Sequence, residues 1–198
     1  MTDTFPEDIK NHLPAYLSPE QKEDLLNQIR NFPKINYYIH KHDQEVLQGD
    51  GWAGFTILDF VSGERKSVKG IVLSNSCDVD IQNERDLDVN VVFVPLVKID
   101  NYEKLLRDAG LSEDRISSKI ESIKQQRITS MVFFPKGGNL SGDYIANLDD
   151  IHSQPLRCFI SGDKSKLFTL SQAGFYMFIL KLSIHFCRFQ EDVLRYDS

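Results

Sequence analysis

The sequence predicts an α+β domain: a small β-barrel, or strongly bent sheet, decorated by an N-terminal helix, a helical insertion and a long C-terminal helix. Three observations lead there. Strand-like apolar runs joined by tight turns crowd between Ile35 and Val97. Helical spacing of apolar residues appears outside that block, before it, in the middle of the chain and at its end. At 198 residues the chain is about one domain long. Such a length buries roughly 70% of its unfolded surface, so the fold requires neither metal nor disulfide. The pattern places a helical extension at 1–34, the barrel at 35–170 with an insertion at 101–128, and the last helix at 171–198.

The elements follow in order. Ser18-Pro19-Glu20-Gln21 reads as a capping box, with Ser18 at N-cap, Pro19 at N1 and Gln21 three residues on. Leu25, Leu26 and Ile29 give that helix an apolar face, and Pro33 stops it. INYYI and GWAGFTILDF read as strands, Ser62-Gly63-Glu64 as a tight turn, and KGIVLSN and VNVVFVPLVKI as two further strands. Gly49, Gly51 and Gly54 stand where a barrel needs bends or close backbone approach. A short helix fits Tyr102 to Arg107, ended by Gly110. A second starts at Ser112 as N-cap and carries Ile116, Ile120 and Ile123 at helical spacing. MVFFP, DYIANLDDIHSQPL, RCFISG and KLFTL read as extended segments, and a helix runs from near Ser171 to about Arg195.

Charge and composition narrow the function classes. A net charge of -6 argues against a protein coated in nucleic-acid-binding charge, so any such contact must come from a local patch. Cys77, Cys158 and Cys187 form no CxxC pair and no zinc-like spacing, which reads as reduced thiols in a cytoplasmic protein. The acidic start MTDTFPEDIK lacks the apolar core of a signal peptide. Phe175 to Phe189 is the most apolar stretch, yet Lys181, His185 and Arg188 interrupt it, so it reads as a buried helix and not a membrane span. Its apolar residues fall on nearly every side, which demands cover from the monomer or from a second copy in a homodimer.

The densest polar cluster is Ser74-Asn75-Ser76-Cys77-Asp78, directly after the strand Ile71-Val72-Leu73. It admits a rim that binds a ligand or nucleic acid, and two further readings. In one, Cys77 and Asp78 are catalytic, with His152 or His185 brought beside the thiol by the fold. In the other, Asn75 and Asp78 satisfy loop backbone groups in an Asx-type turn while Cys77 fills the core. An adjacent carboxylate raises a thiol's pKa and so opposes the first reading.

Four pieces in order, LQGDGWAGFTILDF, KGIVLSN, VVFVPLVKI and GDYIANLDDIHSQPLR, resemble the PemK/MazF family of toxin barrels. The likeness spans Leu47–Ile99 and Ser141–Arg157, with the helices between Asn101 and Arg127 as an insertion. It implies an SH3-like barrel and, for active members, metal-independent cleavage of single-stranded RNA. It also implies an antitoxin-like protein partner. That chemistry needs an Arg against the strained phosphate and a polar group that moves the 2′-hydroxyl proton. The family's Arg-Pro before V-V-L-S is here Ser67-Val68-Lys69, and its Thr after V-P is replaced by Leu96 and Val97. Lys69, Arg65 and Lys66 are partial substitutes, because a Lys neutralises phosphate without the bidentate fork of Arg.

The candidates are therefore Cys77, Asp78 and Lys69 for catalysis, and Arg65, Lys66, Ser74, Asn75 and Trp52 for binding, with Trp52 and Phe55 as stacking aromatics or core. No cofactor is called for. His40 and His42, at strand spacing, would share a face but lack a third metal ligand nearby; on a helix His185 and Cys187 would point apart. Lys119, Lys124, Arg127 and Lys136 read as a solvated face, or as a minor phosphate-contacting patch.

Overall fold

The structure is a computed structural model that describes residues 18–31, 35–83 and 86–186. Fourteen elements follow one another along these residues. They are α1 (Pro19–Arg30), β1 (Tyr38–Ile39), β2 (Gly51–Leu58), β3 (Arg65–Val72), α2 (Ser76–Val79), β4 (Asn90–Lys98) and α3 (Ile99–Asp108). Then come α4 (Glu113–Lys124), β5 (Met131–Phe134), β6 (Tyr144–Asn147), β7 (His152–Pro155), α5 (Leu156–Ser161), β8 (Ser165–Leu170) and α6 (Gln172–Phe186). The strands form one antiparallel half-barrel in the order β1-β8-β2-β3-β4-β6-β5, with β7 beside β4.

Strand β4 organises the bend. Its first half pairs with β7, from Asn90 opposite Pro155 to Phe93 opposite His152, and its last three residues pair with β6. The predicted single segment DYIANLDDIHSQP is thus two strands, separated by the turn at 148–151 where the chain leaves the ladder. On the other side a bulge between Ala53 and Phe55 twists β2 against β3. Gly54 sits there at φ +102°, and a Cβ would fall 2.4 Å from the Asp163 carbonyl oxygen, so only glycine fits.

Alternation along the strands divides the core between the two faces. Ile71, Val94 and Leu96 pack with Phe134, Phe168 and Phe178, which brings α6 onto one face. Val72, Val91 and Phe93 pack with Trp52, Phe55 and Phe159 beneath α5 on the other, where Phe55 stacks between Phe93 and Phe159 at 4.1 and 4.4 Å. Gly70 lets the Phe55 and Phe93 rings close over β3, since a Cβ would lie 2.7 Å from Phe55. The insertion has its own core: Leu106, Ile116, Ile120 and Ile123 pack on Phe133 and Ile145.

Several expectations change here. RCFISG is helical, not extended: Pro155 caps α5, and Leu156 and Phe159, three apart, are its buried pair. INYYI contracts to two paired residues, Tyr38 and Ile39, opposite Leu170 and Thr169. His42 takes φ +63°, which ends any strand there and removes the common face proposed for His40 and His42. Helix α3 starts at Ile99, directly from β4, and Gly110 follows it at φ +81°. Helix α4 begins after Ser112, as its spacing predicts.

Lys181 does not interrupt the apolar helix at the surface; it is buried. Its ammonium donates to the carbonyls of Gln126 (3.0 Å) and Ile128, and burial pushes its pKa down to about 8. Gln126 also donates to Tyr37 Oη and the Phe133 carbonyl, so α6 grips the end of the insertion through polar atoms. Helix α1 packs against α6 and covers part of it. Gln21, Leu25 and Ile29 as side chains, and Pro33, Cys187, Arg188, Phe189 and the predicted helix end near Arg195, lie outside what is described.

Candidate functional site

The corner at the end of β3 is built from its own hydrogen bonds. Ser74 Oγ accepts the Val92 N–H at 2.8 Å and so extends the ladder with β4 by one rung. Asn75 Oδ1 accepts the Cys77 N–H at 3.0 Å and caps α2. Ser76 Oγ accepts the Gln48 N–H at 2.9 Å, and the Gln48 amide donates to the Leu73 carbonyl at 2.7 Å. The Asx-type turn is therefore what forms. Its apolar plug differs from the expected one: Val79 is buried, whereas Cys77 and Asp78 are exposed. A four-residue helix turns its fourth side chain back under the strand, and the thiol two positions earlier points outward.

The loop before β2 is tied into the same corner. Gly49 N–H and Asp50 carbonyl bond to Val72 across 2.9 Å each. The Asp50 carboxylate is 1% exposed and pairs with Lys166 at 2.7 Å; burial pushes its pKa up, while Lys166 and the Leu47 N–H hold it down. Lys166 also donates to the carbonyls of Glu45 and His42 and lies over the Trp52 ring.

Lys69 belongs to a different place. It precedes Ser74 by five strand residues, about 16 Å at the usual rise. Its Nζ donates to Tyr144 Oη at 3.0 Å and lies 5.0 Å from that ring. Tyr144 is the register partner of Lys98, so on β6 and β4 their side chains share a face. Ser141 Oγ lies 3.4 Å from the same phenol oxygen. The Lys69 hydrogen bond, then that of Ser141, lowers the Tyr144 pKa, with the charges of Lys69 and Lys98 adding to it. Lys98 Nζ pairs with Asp100 at 2.8 Å, and its stem passes over Gly142, where a Cβ would come within 3.0 Å of it. A phenol held this way gives up its proton more readily than a solvated one, next to two ammonium groups.

The remaining predicted residues are scattered. Trp52 is 4% exposed in the core and offers no ring face to a ligand; Phe55 is fully buried. Arg65 is exposed at the start of β3. Lys66 pairs with Asp59 at 2.8 Å, and that contact, with the Ser62 and Val61 N–H groups, holds the Asp59 carboxyl well below the usual range. His152 stacks on Phe93 and bonds Asp150 at 2.8 Å; His185 pairs with Asp149 at 3.3 Å. Both imidazoles are thus engaged by the turn between β6 and β7. Among the described residues no group of three or more His, Cys, Asp or Glu could hold a metal ion.

Of the positions that stand where the similar family has its Arg-Pro and Thr, Ser67 is exposed and Lys69 reaches Tyr144, while Val68, Leu96 and Val97 meet apolar packing. Val68 lies against the Trp52–Phe55 cluster, Leu96 belongs to the core under α6, and Val97 packs on the insertion. Tyr144 and Lys98 are not singled out by sequence reasoning; the only local signal is a charged residue ending an apolar strand. No protein-family model matches the chain, and no curated protein matches it. No helix among the described residues is long and apolar enough to cross a membrane.

Proposed function

We propose that the protein is a toxin-like or defence-associated barrel of the SH3-like PemK/MazF type that binds the phosphate backbone of RNA across the Lys69–Tyr144–Lys98 face. The carrying observation is the pair of lysines flanking one hydrogen-bonded phenol where β3 and β4 stop pairing: Gly70 opposite Pro95 is the last rung, and Lys69 and Lys98 lie just beyond it. Lys69 donates to the phenol, and Lys98, paired with Asp100, lies on the same face; an ammonium beside a hydroxyl suits an oxyanion, and a phenol whose pKa is lowered suits proton transfer to or from it. The family's own cleavage residues have no counterpart, so the reading is binding first, with any proton transfer assigned to Tyr144. Cys77 and Asp78 have no part in it.

The test is a salt titration of labelled single-stranded RNA by fluorescence anisotropy. Affinity is expected to fall linearly in log–log form with added salt, and Lys69→Gln to flatten that slope by about 0.7, the share of a single neutralised phosphate. An affinity indifferent to salt, or no binding at low salt, would sink the proposal.

A second reading is a protein-interaction module that keeps the barrel and lacks the nuclease. It is favoured by the corner at 74–78, whose Ser and Asn oxygens are all engaged with backbone N–H groups. Its discriminating observation is growth: expression that is harmless in the absence of an acidic, antitoxin-like partner supports the module over the toxin.

A further inference from the structure

The hairpin of β2 and β3 runs past both neighbouring strands. β8 pairs with β2 only as far as Ala53, and β4 pairs with β3 only from Gly70 onward. From Gly54 to Lys69 the two strands form a ribbon with no third strand in the ladder among the described residues. A hydrogen bond from the Thr56 N–H to Gln154 Oε1, 2.7 Å, steadies its base.

The tip of this ribbon is unusual for a solvated turn. Phe60 is 88% exposed and Val61 fully so, with Leu58 behind them at 45%. The turn itself is firmly made: Asp59 accepts from the Val61 and Ser62 N–H groups, and the Gly63 N–H reaches the Asp59 carbonyl at 2.7 Å. A defined turn fixes the backbone from which the aromatic ring projects into solvent.

Strand alternation puts Arg65, Ser67 and Lys69 on one face of the ribbon, the face that continues to Tyr144 and Lys98. Among the described residues neither Arg65 nor Lys69 has a carboxylate partner, while Lys66 on the opposite face is neutralised by Asp59. Two cations about 13 Å apart along one line thus stand out on a chain of net charge -6.

We propose that this ribbon is a clamp for single-stranded nucleic acid, in which Phe60 stacks on a base while Arg65 and Lys69 hold phosphates. The inference rests on the RNA-binding reading of the Lys69 face and extends it to the bases. Charge selects the occupant: spaced cations on one face match a polyanion that repeats along a line. The ring supplies the other half, since every base has a π-face and stacking requires no particular sequence. Phe60 takes the stacking role that buried Trp52 cannot perform.

The experiment compares a short labelled oligouridylate with an abasic oligomer of the same length, again by anisotropy. Phe60→Ala is expected to weaken oligouridylate binding about tenfold, the value of one base–aromatic stack, and to leave the salt slope and the abasic affinity unchanged. Phe60 is solvent-exposed, so the variant keeps the wild-type unfolding midpoint, which a denaturation curve checks. If Phe60→Ala binds like the wild type while Lys69→Gln still loses affinity, the clamp is overturned and backbone binding stands. If the wild type binds neither oligomer, both readings fall. If Phe60→Ala loses binding to phosphatidylserine vesicles with RNA affinity untouched, the tip belongs to a membrane surface and the clamp is again overturned.

Discussion

The middle of β3 and the corner just past its C-terminal end invite comparison, because both are crowded with polar side chains and they do opposite things with them. Past the strand's C-terminal end, Ser74, Asn75 and Ser76 spend their oxygens on backbone N–H groups, closing the ladder and capping α2. Near its middle, Lys69 meets Tyr144, and the contact is side chain to side chain, just beyond the last β3–β4 rung. Polar groups that serve the backbone hold the fold; polar groups that face one another are available to a ligand. A cluster that is dense in the sequence is therefore no guide to a site until its hydrogen-bond partners are known.

That distinction can be broken by substitution, beginning where the effect should be greatest. Asp50→Ala leaves the Lys166 ammonium buried without its counter-charge and is expected to destabilise by about 3–5 kcal/mol, read from urea unfolding. A loss near zero would mean that the loop at 47–50 is not part of the corner's framework. Ser74→Ala strands the Val92 N–H and should cost about 1–3 kcal/mol, with RNA affinity unchanged once the protein is folded. Were RNA affinity to fall with stability intact, the corner would be a site after all.

The Lys69 contact is sharpened by titration. The Tyr144 pKa is lowered in the folded protein, so the phenolate it favours contributes stability that is fully present above the unfolded tyrosine value of about 10. That contribution is lost as pH falls through the folded value. Lys69→Gln should move the Tyr144 transition back toward the ordinary value, measured as the phenolate absorbance difference between each protein and its Tyr144→Phe counterpart. Identical curves with and without Lys69 would remove the coupling. The smallest effect belongs to Asp78→Ala: an exposed carboxylate outside both networks should alter stability by no more than about 0.5 kcal/mol and leave RNA binding as it was.

Much of the architecture was legible because its signals are local. Ser112 before α4, Gly110 after α3, the isoleucines at 116, 120 and 123, and the apolar run of β4 each carry their evidence within a few residues. RCFISG misled because a short apolar run fits a strand and a buried helical turn equally, and only the packing of Leu156 and Phe159 under the sheet separates them. Lys181 reads in the sequence only as a charge within an otherwise apolar, buried helix; the carbonyls from a distant loop that receive it are not legible there. Of the site, Lys69 was within reach as a charge in a strand. Tyr144 and Lys98 were not, because the register that sets them side by side joins segments on either side of a helical insertion.

By itself the order of residues determined that strands crowd the first half of the barrel, that helices interrupt and close it, and that Lys69 opens the strand KGIVLSN; that Arg65 and Lys66 join the same strand came from the structure. Periodicity and capping act over a turn or a few rungs, so they survive without knowledge of neighbours. Tertiary structure alone decided which polar atoms were already spoken for, that Trp52 went inside while Phe60 stayed out, and that a phenol from β6 came to rest between two lysines. Those outcomes depend on which strand lies alongside which, and in what register, and that is settled by the free energy of the whole sheet closing over its core.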